Sequence, residues 1–248
     1  MLRLLGVSLR VSGRLVLDEV SLQVRAGELV VVEGHRASGK SSLARVAAVS
    51  SRPETGEVWI GERDVAGLQD ASLPYVRRNI GFFSEDLPLL PRLSALENVM
   101  LAAGARGFEP AQARELAVRA LGRVGVIGAS TRGPETLSAA ERRLVALARA
   151  LAGAPPLLVI DDPSANLAAN DVGAVLSAIL GVVEVGGAAL CTSPDAAFAT
   201  AVVRAGGRRV RLEGGRVLAG GGPIGLVGAG AGVRREGDPP VVRVEAHR

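Results

Sequence analysis

One short segment contains residue types at a spacing suited to phosphate binding. It consists of Gly34, His35, Arg36, Ala37, Ser38, Gly39, Lys40, Ser41 and Ser42. The spacing is that of a P-loop, whose backbone amides surround phosphates. Of the 29 cationic residues in the chain, Lys40 is the one lysine. A compact ammonium on a flexible stem can bend over phosphates, whereas a planar guanidinium would crowd a tight loop. The segment therefore predicts a phosphate site.

The predicted elements place this segment between a strand and a helix. The apolar run 29–32 precedes it as a buried strand, and Leu43, Val46 and Ala47 follow it on one helical face. Further strands are expected at 2–9, 15–24, 57–60, 79–83, 157–160, 188–191, 209–212 and 216–218. Further helices are expected at 95–103, 111–124, 139–151, 171–183 and 195–205. The pattern predicts an α/β core interrupted by a helical insertion at about 85–150, followed by a glycine-rich flexible tail at 219–248.

Composition narrows the classes of partner and location. The pI near 10.4 could suggest a nucleic-acid partner. However, the net charge is only +4, the arginines are scattered along the chain, and aromatic residues make up 2% of it, so we expect no such partner. A single cysteine, Cys191, excludes an internal disulfide and a multi-cysteine metal site. The longest apolar stretch, 172–183, is shorter than the roughly 20 residues of a membrane-spanning helix. These features indicate a cytoplasmic protein.

Two later segments carry a family resemblance. Residues 137–151 read LSAAERRLVALARAL, and residues 157–168 read LLVIDDPSANLA. They resemble the signature LSGGEQQRVALARAL and the Walker B region LLLADEPTGNLD of the ABC ATPases, and the resemblance extends over about 1–218. Segments 73–78, 80–82 and 89–91 look most like the cell-division subunit FtsE, with the lipoprotein-release and macrolide-export ATPases close behind. The resemblance implies a RecA-like P-loop NTPase core with an N-terminal antiparallel β-subdomain and a helical insertion.

The same resemblance implies a ligand set and partners. ATP and Mg²⁺ would bind at a site shared by two subunits of a homo- or heterodimer. Lys40 would contact the outer phosphates, and Ser41 and Asp161 would hold magnesium. The subunit would lie on the inner face of the cell membrane, attached to an integral membrane subunit that is FtsX-like or a related permease. Loop 86–91 would receive that partner, or would simply pack within the insertion.

Several positions depart from the family pattern. Asp162 replaces the glutamate that polarises the attacking water, and a displacement of about 1 Å there can cost on the order of 100-fold in rate. Ser193 replaces the switch histidine and lacks an imidazole's proton-accepting ability. Alternatively, Ser193 is a helix cap, with Pro194 at the first helical position. Glu85 replaces the Q-loop glutamine; it could still ligate magnesium, but it adds negative charge beside the triphosphate.

Binding of the base and the γ-phosphate is also altered. Val11 stands where the resemblance places an adenine-stacking tyrosine. Ser138, Ala139 and Ala140 begin the signature helix, where two glycines would let backbone amides approach the opposite subunit's phosphate. Ser138 with Glu141 also forms a capping box, so a structural helix start is an equal alternative.

Two functions remain open from the sequence. The first is an ABC-type nucleotide-binding subunit whose hydrolysis is weak or lost. The alternative is a nucleotide-independent scaffold or regulatory pseudoATPase that stabilises the membrane partner.

Overall fold

The computed structural model describes residues 1–218, and the predicted tail at 219–248 lies outside this range. The strands are β1 (Leu2–Val11), β2 (Arg14–Val24), β3 (Leu29–Glu33), β4 (Thr55–Ile60), β5 (Arg63–Asp64), β6 (Ile80–Phe83), β7 (Leu157–Asp161), β8 (Ala188–Ser193), β9 (Arg208–Glu213) and β10 (Arg216–Leu218). The α-helices are α1 (Lys40–Ala47), α2 (Leu73–Arg77), α3 (Ala95–Ala105), α4 (Pro110–Arg123), α5 (Ala139–Leu151), α6 (Ala169–Glu184) and α7 (Ala196–Arg204).

These strands form two sheets. An antiparallel sheet has the order β2-β1-β4-β5, and a six-stranded sheet has the order β10-β9-β3-β8-β7-β6. Strands β9, β3, β8, β7 and β6 are parallel, and β10 pairs antiparallel with β9 at the edge. The predicted α/β class and the N-terminal antiparallel subdomain are confirmed.

The six-stranded sheet is apolar on both faces, because helices cover one face and α1 with the antiparallel sheet covers the other. Along β3, Val31 contributes to the core beneath the helical insertion, while Val30 and Val32 contribute to the core beneath α1 and the antiparallel sheet. Alternate side chains of a strand point to opposite faces, so a strand covered on both sides is apolar throughout. This accounts for the continuous apolar run before the P-loop.

The insertion consists of α3, α4 and α5, which pack against one another and against β6 and α6. Capping boxes led by a serine begin two of these helices, α3 and α5. Ser94 and Glu97 cap α3, and Ser138 and Glu141 cap α5, each through reciprocal side-chain and backbone hydrogen bonds. The capping box predicted at Ser138 is therefore confirmed. Its bonds lower the pKa of Glu141, chiefly through the backbone N–H of Ser138.

The predicted cap at Ser193 is wrong. Ser193 is the last residue of β8 and is fully buried. Helix α7 begins two residues beyond Pro194, and its cap is Asp195, whose carboxylate accepts a hydrogen bond from the Ala197 amide at 2.8 Å. A carboxylate one residue after the proline competes better for the free amides because it is ionised and lies at the helix entrance.

Candidate functional site

Four chain segments meet at the carboxyl edge of the parallel sheet. The P-loop follows β3, Glu85 follows β6, Asp161 ends β7 and Ser193 ends β8. Adjacent strands β3, β8, β7 and β6 run in the same direction, so these ends lie side by side. Ligands of open α/β sheets bind at this edge. The structure thus brings together side chains that are distant in sequence; Lys40 and Ser193, for example, are 153 positions apart.

Lys40 is folded back over its own loop. Its Nζ donates hydrogen bonds to the carbonyl oxygens of Gly34 at 2.7 Å and His35 at 2.6 Å, and to Ser38 Oγ at 3.3 Å. The residue is 8% exposed. Burial lowers the pKa of the ammonium, and Asp161 and Asp162 oppose this effect through their charges. The cation is held at the loop by neutral oxygens, an arrangement that an incoming anion can exchange for a stronger, charge-assisted bond.

The loop backbone leaves no space for side chains at its two glycines. A Cβ on Gly34 would lie 2.3 Å from the carbonyl oxygen of Leu212, and a Cβ on Gly39 would lie 2.5 Å from that of Val16. Gly39 also has a φ of +100°, which other residues rarely adopt. Gly39 immediately precedes α1, so the loop leads directly into a helix N-terminus, where anions are favoured.

Asp161 and Asp162 are placed by strand β8. The Thr192 hydroxyl donates to Asp161 Oδ1 at 2.5 Å, and the Asp162 amide donates to the Thr192 carbonyl at 2.9 Å. The Ser193 hydroxyl donates to Asp162 Oδ1 over 3.5 Å. Burial raises the pKa of Asp162, while the nearby Arg143 cation lowers it. Asp162 is thus a partly desolvated carboxylate, which can accept a proton from a bound water but is shorter in reach than glutamate.

Two ion pairs hold the segment after β6. Arg143 of α5 donates to Glu85 Oε1 at 2.7 Å and also to the carbonyl of Asp162. Arg45 of α1 pairs with Asp86. Arg143 therefore links the segment after β6 to the end of β7, and Arg45 links the same segment to α1.

The site has two adjoining cavities. The carboxylate cavity, of about 390 Å³, is lined by residues that include Lys40, Ser41, Glu85, Asp161 and Asp162. The β2-side cavity, of about 290 Å³, lies on the other side of Lys40 and Ser41. Together the two cavities are large and polar enough for a small ligand. Their linings differ, because carboxylates line the first cavity and residues of β2 line the second.

The structure distributes the predicted site residues as follows. Arg36, Ala37, Lys40, Ser41, Glu85, Asp161 and Asp162 line the carboxylate cavity, and Gly39 and Ser42 line the β2-side cavity. Val11 is 49% exposed and lines neither cavity. The wall of the β2-side cavity is formed instead by Arg14, Leu15 and Val16 of β2. Ser138, Ala139 and Ala140 also line neither cavity, and Ser138 and Ala139 are exposed.

Sequence reasoning missed Arg143, Arg45 and Thr192. The signal for Arg143 was present, because it stands where the signature consensus has a glutamine. For Arg45 and Thr192 no sequence signal indicated a role, since each acts through a partner distant in the chain.

Comparison with known proteins agrees with this geometry. The sequence profile described as "ABC transporter" matches residues 17–165. The lipoprotein-releasing system ATP-binding protein LolD of Granulibacter bethesdensis is 38% identical over 170 residues, which cover 68% of this chain and 74% of that protein. LolD of Cereibacter sphaeroides is 38% identical over 205 residues, covering 82% and 90% respectively.

A solved structure is similar over nearly its whole length. It is a dimeric ATP-binding cassette in a post-hydrolysis state bound to ADP and Pi, with a TM-score of 0.81 and 28% identity, covering 90% of this chain and 98% of that one. In the described part of the chain, no helix has the length and apolar character needed to cross a membrane.

Proposed function

This chain belongs to the ABC transporter family, and we propose that it is a nucleotide-binding subunit that holds Mg-ATP at a dimer interface and acts with a separate transmembrane partner. We further propose that its hydrolysis is weak or lost. The observation that carries the proposal is the position of Lys40, which is buried at the meeting point of the two cavities with its ammonium held by loop oxygens.

The residues present fit a triphosphate. A Cβ at Gly34 or Gly39 would clash with a main-chain carbonyl oxygen of β9 or β2, so the loop can pack this closely against both strands only with glycine at these positions. Lys40 supplies the cation, and the N-terminus of α1 supplies further partial positive charge. Arg36 is exposed and lines the same cavity, where it can add a second, weaker attraction.

The residues also fit magnesium, provided that the phosphates of the nucleotide supply some of the ligands of the metal ion. Within residues 1–218, no group of three or more His, Cys, Asp or Glu side chains is arranged to hold a metal ion. Magnesium is usually bound by one or two carboxylates together with substrate phosphates and water. Ser41 and Asp161 would hold it here, and it would neutralise charge on the phosphates when bound.

Weak hydrolysis is supported by the surroundings of Asp162. Its side chain is one methylene shorter than that of glutamate. The neighbouring group, 3.5 Å away, is the hydroxyl of Ser193, which cannot accept a proton as an imidazole would. Both departures act on the same step, the activation of water.

A dimer and a membrane partner are supported by surface features and by the relatives. Ser138 and Ala139 are exposed at the start of α5, where a second subunit could contact them. The curated relatives are lipoprotein-releasing system proteins, which favours that branch of the subgroup over the cell-division branch as the kind of complex this subunit serves. A cytoplasmic, membrane-peripheral location follows from such a role.

The proposal is tested by equilibrium ATP binding to the purified chain. Lys40→Ala should weaken Mg-ATP binding by about 10- to 100-fold, because a charge-assisted bond to phosphate is worth roughly 1.5–3 kcal/mol. Arg36→Ala is the matched control; it removes an exposed cation from the same loop and should change the affinity by less than about threefold. Equal ATP binding by wild type and Lys40→Ala, with unchanged function in cells, would favour the nucleotide-independent scaffold instead.

A further inference from the structure

Arg143 belongs to the signature helix α5, but its guanidinium lies at the carboxyl ends of β6 and β7. It donates to Glu85 Oε1 at 2.7 Å and to the carbonyl of Asp162, and its central carbon lies 5.0 Å from the centre of the Phe83 ring. Its side chain is 10% exposed, whereas that of Glu85 is 63% exposed. The arginine is therefore fixed on three sides, and the exposed glutamate is fixed by the arginine.

The charges around the cavity explain why this contact matters. Glu85, Asp161 and Asp162 all line the carboxylate cavity, and a triphosphate would add further negative charge there. An exposed glutamate has the rotamer freedom to turn toward the phosphates and repel them. The contact with Arg143 directs the Glu85 carboxylate toward α5 and neutralises it.

The two residues also form a matched pair of replacements. Glu85 aligns with the Q-loop glutamine, and Arg143 aligns with a glutamine of the signature consensus. Arg142 replaces the other glutamine of that consensus but donates to carbonyl oxygens just before α5, so Glu85 and Arg143 are the replacements whose opposite charges are in direct contact. Either replacement alone would leave an unbalanced charge at the site, whereas together they cancel.

We propose that Arg143 is a positioning residue of the nucleotide site, which holds the Glu85 carboxylate away from the phosphates and fixes the peptide of Asp162. The inference rests on the proposed function, because it assumes that a nucleotide enters the carboxylate cavity. It also changes the expectation for magnesium: Glu85 is withheld from the metal while Arg143 binds it.

The first test is a double-mutant cycle on ATP binding without magnesium, measured on the full chain in EDTA. Glu85→Gln should strengthen ATP binding only about two- to threefold in the wild-type background, where the carboxylate is already held away from the phosphates, but about tenfold in the Arg143→Gln background, where the carboxylate is released. Asp86→Asn is the matched control: Asp86 lines the same cavity but pairs with Arg45. Its effect should be the same in both backgrounds.

Magnesium gives a readout that a purely structural role would not change. In Arg143→Gln, the released carboxylate can help hold the cation, so magnesium should strengthen ATP binding by at least about fivefold more than it does in wild type. Adding Glu85→Gln should abolish that gain. The inference is overturned if Glu85→Gln has the same effect with and without Arg143, or if the magnesium effect is unchanged by Arg143→Gln.

Urea unfolding of the nucleotide-free chain separates this inference from the proposed function. Glu85→Gln and Arg143→Gln should be non-additive in the free energy of unfolding, while Asp86→Asn and Arg143→Gln should be additive. ATP binding by wild type with additive behaviour in both pairs would refute the inference alone. Non-additive unfolding in a chain that binds no ATP would refute the proposed function, and with it the nucleotide role of the pair.

Discussion

At Gly39 the P-loop packs closely against strand β2, and replacement of this glycine by alanine tests whether that contact shapes the site. A Cβ at this position would lie 2.5 Å from the Val16 carbonyl oxygen and 3.1 Å from Leu17 Cδ2, with a φ of +100°. Gly27 provides a matched control, because its φ is +70° and a Cβ there would meet nothing within 4 Å. Alanine at Gly27 therefore reports the cost of the backbone conformation alone.

The magnitude follows from these two terms. A positive φ in a residue other than glycine costs about 1–2 kcal/mol, which is the whole effect expected for Gly27→Ala. Gly39→Ala adds a clash with main-chain atoms that cannot rotate away, and overpacking of this kind costs about 1–3 kcal/mol more. We therefore expect Gly39→Ala to lower the free energy of unfolding by about 3 kcal/mol, roughly twice the effect of the control.

Urea unfolding measures both variants, and ATP binding completes the test. With a slope of about 2 kcal/mol per molar, the two unfolding midpoints should differ by somewhat less than about 1 M. Gly39→Ala should also lose ATP affinity because the loop must move away from β2, whereas Gly27→Ala should retain it. Equal midpoints and equal ATP affinities for the two variants would refute the claim that the loop is set by close approach to β2.

Three further outcomes follow from the site and the core. Asp162→Glu alone should raise ATP turnover by less than about tenfold, because Ser193 still provides no imidazole; a rise of about 100-fold would contradict this. Burial raises the pKa of Asp162 above its ordinary value of 3.8, so the folded state binds the proton more tightly and stability should fall as pH rises through the raised pKa. Asp162→Asn should remove that fall in urea unfolding measured between about pH 4 and 7, and an unchanged slope would be the negative result. Burial raises the pKa of Cys191 to about 12, so a thiol reagent at about pH 8 should label it only in denaturant, and fast labelling of the native chain would contradict its position in the core.

Local signals in the sequence were enough to predict the elements that carry the site. The apolar run before Gly34 and the helical face after Lys40 predicted the strand and helix around the P-loop, and both are present. The Ser138–Glu141 spacing predicted the start of α5, because a capping box depends on residues three positions apart. Patterns of this kind arise within one element, so the sequence alone contains them.

Contacts between distant elements could not be predicted in the same way. Arg143 and Glu85 are 58 positions apart, and only the packing of α5 against β6 brings them together. The acceptors of Lys40 are local, in the same loop, but the sequence did not identify them either, because an ammonium on a flexible stem has many possible partners. Ser193 was assigned to a helix cap because serine before proline commonly starts a helix, but the strand continues through it and Asp195 takes the cap.

ATP binding and ATP turnover should be measured on one preparation of the chain purified with its membrane partner. We expect Mg-ATP binding that depends on Lys40, together with turnover below about 1 per second in both wild type and Lys40→Ala. Wild-type turnover at or above about 1 per second that is lost in Lys40→Ala would show an active ATPase and would refute binding without efficient hydrolysis.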